Sequence, residues 1–298
     1  MSQLFKKDED WIDFCPHPTK PLFLLPPGAV DAHCHVFGPG DVFPYSPERK
    51  YTPCDASKED LFNLRDYLGV TKNVIVQATC HGSDNSALLD ALETAGPSAR
   101  GVVTVNPDVS DLQLGRMNEL GVRGVRFNYV RRLADPKPDE YYEQIIAKIA
   151  KYGWHVVVYF EAADLEQRLD FFSSIKVPVV VDHMGRPDVS KDPMGPEFDL
   201  FRKFMRENSN VWSKVSCPER LSLVGAPLYE DVIPFAKSIV EEFPDRVLWG
   251  TDWPHPNIKK DMPDDGHLVD YIPQIADTEL LQTKLLVRNP EALYWSAS

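Results

Sequence analysis

Cysteine is scarce and has no pairing pattern. The five residues, Cys15, Cys34, Cys54, Cys80 and Cys217, include no CxxC. That argues against a disulfide framework and against a thiolate zinc site, and makes a cytoplasmic protein with reduced thiols the expectation. Long apolar runs are missing too. None approaches the roughly 20 residues that cross a bilayer, so no membrane association is expected. The N-terminal MSQLFKKDEDWIDFC lacks the apolar core of a signal peptide, and PLFLL is short and lies between prolines. Positive charge is in the minority, with 32 Lys and Arg against 45 Asp and Glu and a net charge of −13. A general basic surface for nucleic acid is thereby excluded, although arginines converging inside a pocket can still hold an acidic ligand. No GxGxxG follows a strand-like run, which weakens the case for a doubly wound open sheet.

What is present is a regular alternation. Residues 1–28 carry Pro16, Pro18, Pro21, Pro26 and Pro27 and read as an extended arm laid over the fold. Eight nearly continuous apolar runs follow: Ala29–Phe37, Asn73–Ala78, Gly101–Asn106, Val122–Tyr129, His155–Glu161, Val177–His183, Val211–Ser216 and Val247–Trp253. Such runs are how strands buried on both faces read. Stretches of helical composition lie between them, from SKEDLFNLRDYLG to YEDVIPFAKSIVEEF, with capping residues and glycines at their ends. Eight strands alternating with helices predict one α/β domain, a (β/α)8 TIM barrel over residues 29–298. Two connections are long, Gly38–Ala56 after the first strand and Val130–Asp139 after the fourth. Both lie on the face where such barrels keep their active sites.

The chemistry gathers at strand ends. Asp31-Ala-His33-Cys-His35 ends the first strand, and alternation puts both imidazoles on one face and Cys34 on the other. The sixth run ends in Asp182-His183-Met-Gly-Arg186-Pro and the eighth in Asp252-Trp-Pro-His255-Pro. A second set is cationic: Arg126 ends the fourth strand, Arg132 lies in the loop after it, and Arg220 stands beyond the seventh in SCPERL. Each offers a planar fork to a carboxylate. Tyr51, Thr79 and Tyr159 are neutral hydroxyl candidates beside them. Arg186 and His255 are candidates of lesser weight, suited to orienting His183 and Asp252. Trp249, Trp253 and Phe127 read as barrel packing.

The motifs DAHCH, VDHMGRP and GTDWPHP resemble the amidohydrolase superfamily, in its branch of metal-dependent TIM-barrel hydrolases. With GVRGVRFNYVRRL and RVLWGTDWPHPN the chain is similar to the lactonases of that superfamily that open a pyrone dicarboxylate. The resemblance implies reversible hydrolysis of 2-pyrone-4,6-dicarboxylate to 4-carboxy-2-hydroxymuconate, or its oxalomesaconate tautomer, in the protocatechuate 4,5-cleavage route of aromatic degradation. It also implies that Arg126, Arg132 and Arg220 contact the substrate carboxylates. Asp252 would deprotonate the attacking water while His33, His35 and His183 polarise the carbonyl.

One departure from the superfamily pattern concerns metal. His33, His35 and Asp252 can offer three zinc ligands, but Tyr159 stands where relatives place a histidine, and Arg126 repels a cation. Glu161, on the face of Tyr159, is a substitute ligand. The expectation is no required metal and no cofactor, as the resemblance also implies. The alternatives are a zinc-dependent lactonase acting on a sugar lactone or a muconolactone, a related decarboxylase, or a binding protein without turnover. The sequence leaves the oligomeric state open.

Overall fold

The computed structural model describes residues 5–296. Eight parallel strands follow one another around a single sheet in chain order. They are β1 Val30–Cys34, β2 Lys72–Val76, β3 Ala99–Val103, β4 Val122–Asn128, β5 His155–Tyr159, β6 Val179–Val181, β7 Val211–Lys214 and β8 Val247–Leu248. The outer layer contains α1 Lys58–Leu68, α2 Ser86–Ala95, α3 Asp111–Glu119, α4 Asp139–Ile149, α5 Leu165–Ser174, α6 Pro196–Glu207, the one-turn α7 Pro218–Leu221, α8 Ile233–Glu242 and α9 Asp265–Asp270. This is the expected barrel. Short helices between Asp265 and Thr283 follow β8; the apolar runs gave no sign of them.

The helices start and stop for local reasons. Ser57 and Asp60 form a reciprocal capping box at α1, and Gly69 closes that helix in the left-handed region at φ 86°. Helix α8 begins at Ile233 rather than Tyr229, because Pro234 has no N–H and fits only the first turn.

Two apolar layers hold the barrel. Val125, Phe127, Val156, Val158 and Trp249 face outward against the helices. Val30, Ala32, Val74, Val76, Val102, Val157, Val180 and Leu248 fill the lumen, where Tyr294 joins them. Strict alternation would then turn His33 away from the lumen face that Ala32 occupies. A register shift between Asp31 and Cys34 resolves this conflict. The extra residue is a bulge, which re-aims the side chains beyond it. Cys34 accordingly sits with the outer cluster.

Strands β6 and β8 are shorter than their apolar runs. The chain leaves β6 into the left-handed region at His183 (φ 51°), and beyond β8 it does the same at Asp252 (φ 64°). These turns carry polar side chains over the mouth of the barrel instead of along its wall. The segment after β8 closes the ring on β1: Ala32 N donates to Trp249 O at 2.9 Å, Asp252 N to His33 O at 2.8 Å and His35 N to Trp253 O at 2.7 Å. Asp31 adds a side-chain tie, accepting from Thr251 Oγ1 at 2.7 Å. The approach demands glycine at position 250, where a Cβ would lie 2.4 Å from His33 N.

The described part of the N-terminal arm starts beside the active-site face and then runs along α1 and α9, where Lys20 donates to Tyr67 O and Leu22 N to Asp270. Trp11 is buried and stacks on Tyr51 with ring centroids 5.5 Å apart. Phe14 meets Trp253 edge-on.

Candidate active site

Above the apolar lumen lies a layer of buried charge. Arg126 from β4 donates to Asp182 through Nε at 3.0 Å, and its Nη2 lies 2.8 Å from the same oxygen. Lys214 from β7 is fully buried; its Nζ is 3.1 Å from the other carboxylate oxygen of Asp182 and 2.8 Å from His33 Nδ1. Burial alone would raise the Asp182 pKa, but Lys214 and Arg126 hold it well below the usual carboxylate range. The sequence motif contains Asp182 without pointing to a role for it, and Lys214 lies outside every motif. Lys214 had a usable signal, since a lysine in VWSKVS shares its strand face with Trp212 and must enter the lumen.

Asp252 sits on this layer, at the centre of the remaining groups. Its Oδ1 is 3.3 Å from His33 Nε2, 3.1 Å from His35 Nε2 and 3.9 Å from His183 Nε2. Arg220 from α7 holds its Oδ2, through Nε at 2.8 Å and Nη2 at 2.7 Å. Burial pushes the carboxyl upward, yet the Arg220 guanidinium wins and keeps its pKa well below the ordinary value. The same pair pushes the Arg220 pKa well upward against burial.

The imidazoles differ in what they can donate. His35 Nδ1 is 2.7 Å from the carbonyl of Val76, which only accepts, so this nitrogen carries the hydrogen. Burial lowers the His35 pKa to about 4 despite Asp252. Neutral His35 therefore turns a lone pair toward the site. His183 is also kept neutral by burial. Its Nδ1 is 2.8 Å from Ser216 Oγ; when that hydroxyl donates, Nε2 carries the hydrogen toward the cavity.

The cavity over Asp252 is lined by His35, His183 and Asp252, by Arg126, Arg132 and Arg220, and by Tyr51, Thr79 and Tyr159, with Leu133 and Asn257 among the rest. Thr79 Oγ1 lies 3.3 Å from Tyr51 OH. Both long connections thus reach the cavity, through Tyr51 and through Arg132 and Leu133.

Three expected site residues take other places. His33 lies beneath Asp252, fully buried and outside the cavity lining, because the bulge sinks it into the lumen. It contacts the aspartate rather than a ligand. Arg186 donates to Glu161 at 2.7 Å and to Tyr159 OH at 3.1 Å, so it orients Tyr159, not His183. His255 is also fully buried, with Nε2 3.1 Å from Asp265 and Nδ1 3.8 Å from Glu219. Burial opposes its charge, but Asp265 and Glu219 raise its pKa to about 10. Its backbone N–H donates to Asp252 O at 2.8 Å, which braces the turn.

His33, His35 and Asp252 place one ligand atom each within 4.8 Å of one another. Those donor types suit zinc; the surrounding charge does not. Arg126, Lys214 and Arg220 already face the carboxylates Asp182, Asp252 and Glu219, so a divalent ion would add charge to a site whose carboxylates are matched by cations. Glu161 adds nothing to the donor set, being engaged by Arg186 and lying 3.6 Å from Arg132.

Residues 30–295 match the family model described as amidohydrolase. The 2-pyrone-4,6-dicarboxylate hydrolase of Comamonas testosteroni is 61% identical, over 99% of this chain and 99% of that protein. The 4-sulfomuconolactone hydrolase of Hydrogenophaga intermedia is 36% identical, over 93% of this chain and 92% of that protein. A solved structure from Agrobacterium tumefaciens, 27% identical, superposes with a TM-score of 0.83 over 93% of this chain and 99% of that one.

Proposed function

We infer that this chain, which belongs to the amidohydrolase family, hydrolyses 2-pyrone-4,6-dicarboxylate to 4-carboxy-2-hydroxymuconate and does so without a divalent metal. The observation that carries the reading is the convergence of Arg126, Arg132 and Arg220 on a cavity floored by Asp252. Three guanidinium groups around one small cavity suit a ligand whose two carboxylates add to or compete with the contacts these groups make to Asp182, Asp252 and Glu161, which a neutral lactone cannot do. The relative from Comamonas testosteroni supports the same substrate.

Asp252 accepts a proton from water as the water oxygen bonds to the lactone carbonyl carbon. Negative charge then develops on the carbonyl oxygen. His183 Nε2–H is the imidazole placed to donate to it, since neutral His35 has no hydrogen on the nitrogen facing the site. Collapse of the intermediate breaks the bond from the carbonyl carbon to the ring oxygen. Protonated Asp252 returns its proton to that departing enol oxygen, which gives the hydroxymuconate. In the free site Arg220 makes Asp252 a poor base. A substrate carboxylate competes for the guanidinium and restores basicity when water is bound.

The reading is tested by following loss of pyrone absorbance and identifying the product. The dicarboxylate should be opened with a kcat/KM well above that of a pyrone bearing one carboxylate, and a neutral sugar lactone should be poorer still. Equal efficiencies would overturn it. The sulfomuconolactone hydrolase relative favours one second reading, an anionic muconolactone as substrate, and the same assay compares it directly.

A further inference from the structure

We propose that Lys214 is a positioning residue that fixes the tautomer of His33, and through it whether that ring turns a hydrogen or a lone pair toward Asp252. The proposed hydrolysis uses neither Lys214 nor Asp182, yet both are wholly buried beneath it. An ammonium only donates. With Asp182 Oδ1 at 3.1 Å as its counter-ion, Lys214 directs a hydrogen to His33 Nδ1 at 2.8 Å. That nitrogen must therefore accept, and the single hydrogen of the neutral ring sits on Nε2. Nε2 lies 3.3 Å from Asp252 Oδ1 without the alignment of a hydrogen bond, and no other group partners it.

The same surroundings contain the opposite arrangement. Asp182 Oδ1 is 3.3 Å from His33 Nδ1 and accepts a hydrogen from it whenever Lys214 no longer fills that role. The ring would then turn a lone pair toward Asp252. Lys214 decides between a donor and a repelling lone pair under the catalytic carboxylate. Its neighbour His35 is held in the other tautomer by the Val76 carbonyl, so the two imidazoles of one HxH motif have opposite polarity toward Asp252. Asp182, itself held by Arg126, is the counter-ion that favours the ammonium and keeps it in place.

The kinetic consequence rests on the hydrolase reading; the tautomer does not. Proton–nitrogen correlation spectra of histidine-labelled free protein, with the His33 signals identified by their loss in His33→Gln, read the tautomer directly. Wild type should show His33 with hydrogen on Nε2. Lys214→Met should move it to Nδ1, and lower kcat on the pyrone dicarboxylate by about 10²-fold, the scale of losing one aimed donor, with KM changed less than about threefold. Lys214→Gln, whose amide still donates, should keep the wild-type tautomer and recover part of kcat. Hydrogen on Nδ1 in wild type, or an unchanged tautomer in the Met variant, would overturn the proposal. Should Lys214→Met not fold, wild type and Lys214→Gln decide it on the same signals. Failure of wild type to open the pyrone would sink the hydrolase reading and leave the tautomer assignment standing.

Discussion

Asp252 is caught between two demands. A base must take a proton, yet Arg220 stabilises its ionised form and weakens it for that task. If Asp252 is the proton carrier, Asp252→Asn should stay folded and bind substrate while kcat falls roughly 10²- to 10⁴-fold; near-normal turnover in the folded variant would reject the role. Arg220→Met separates binding from basicity. Loss of a buried cation facing a carboxylate costs about 2–5 kcal/mol, so KM for the dicarboxylate should rise at least tenfold. The acid limb of the kcat/KM profile should move to higher pH, because in the free enzyme the strongest influence holding the Asp252 pKa down is gone. A limb that stays in place would show that Arg220 does not tune Asp252.

At the scale of elements, strand alternation was enough to put His33 and His35 on one face and Cys34 on the other. It was not enough to say how deep each imidazole lies. That depth is set by the β1 bulge, which depends on how β1 fits between β2 and the segment after β8 and leaves no local trace. The arginines after β4 and β7 were legible as cations near the mouth. Their partners, Asp182 for Arg126 and Asp252 for Arg220, are long-range pairs with no spacing to read. The proline-rich arm was read as a cover, and its Trp11 does more by stacking on Tyr51. Trp11→Ala should therefore loosen Tyr51 and raise KM several-fold with little change in kcat. An unchanged KM in the folded variant would reduce the arm to packing.

At the scale of the whole molecule, a chain of net charge −13 concentrates cations in one small cavity. A focused positive field in an acidic surface favours a small dianion over a polyanion. Among the described residues no helix is long and apolar enough to cross a membrane. Global stability should carry the mark of His255. Its pKa rises from 6.5 to about 10 on folding, so its stabilising contribution is complete below about pH 6.5 and is lost as pH rises through about 10. The stability difference between wild type and His255→Gln in urea unfolding should shrink steadily between pH 7 and 10; a constant gap would contradict this. The central claim is that buried cations and Asp252 open a pyrone dicarboxylate with no metal. It is tested most directly by measuring kcat/KM for 2-pyrone-4,6-dicarboxylate on protein exhaustively treated with chelator, with metal content determined on the same sample. The account predicts undiminished efficiency at far less than one metal per chain. Activity lost on chelation and restored by zinc would contradict it.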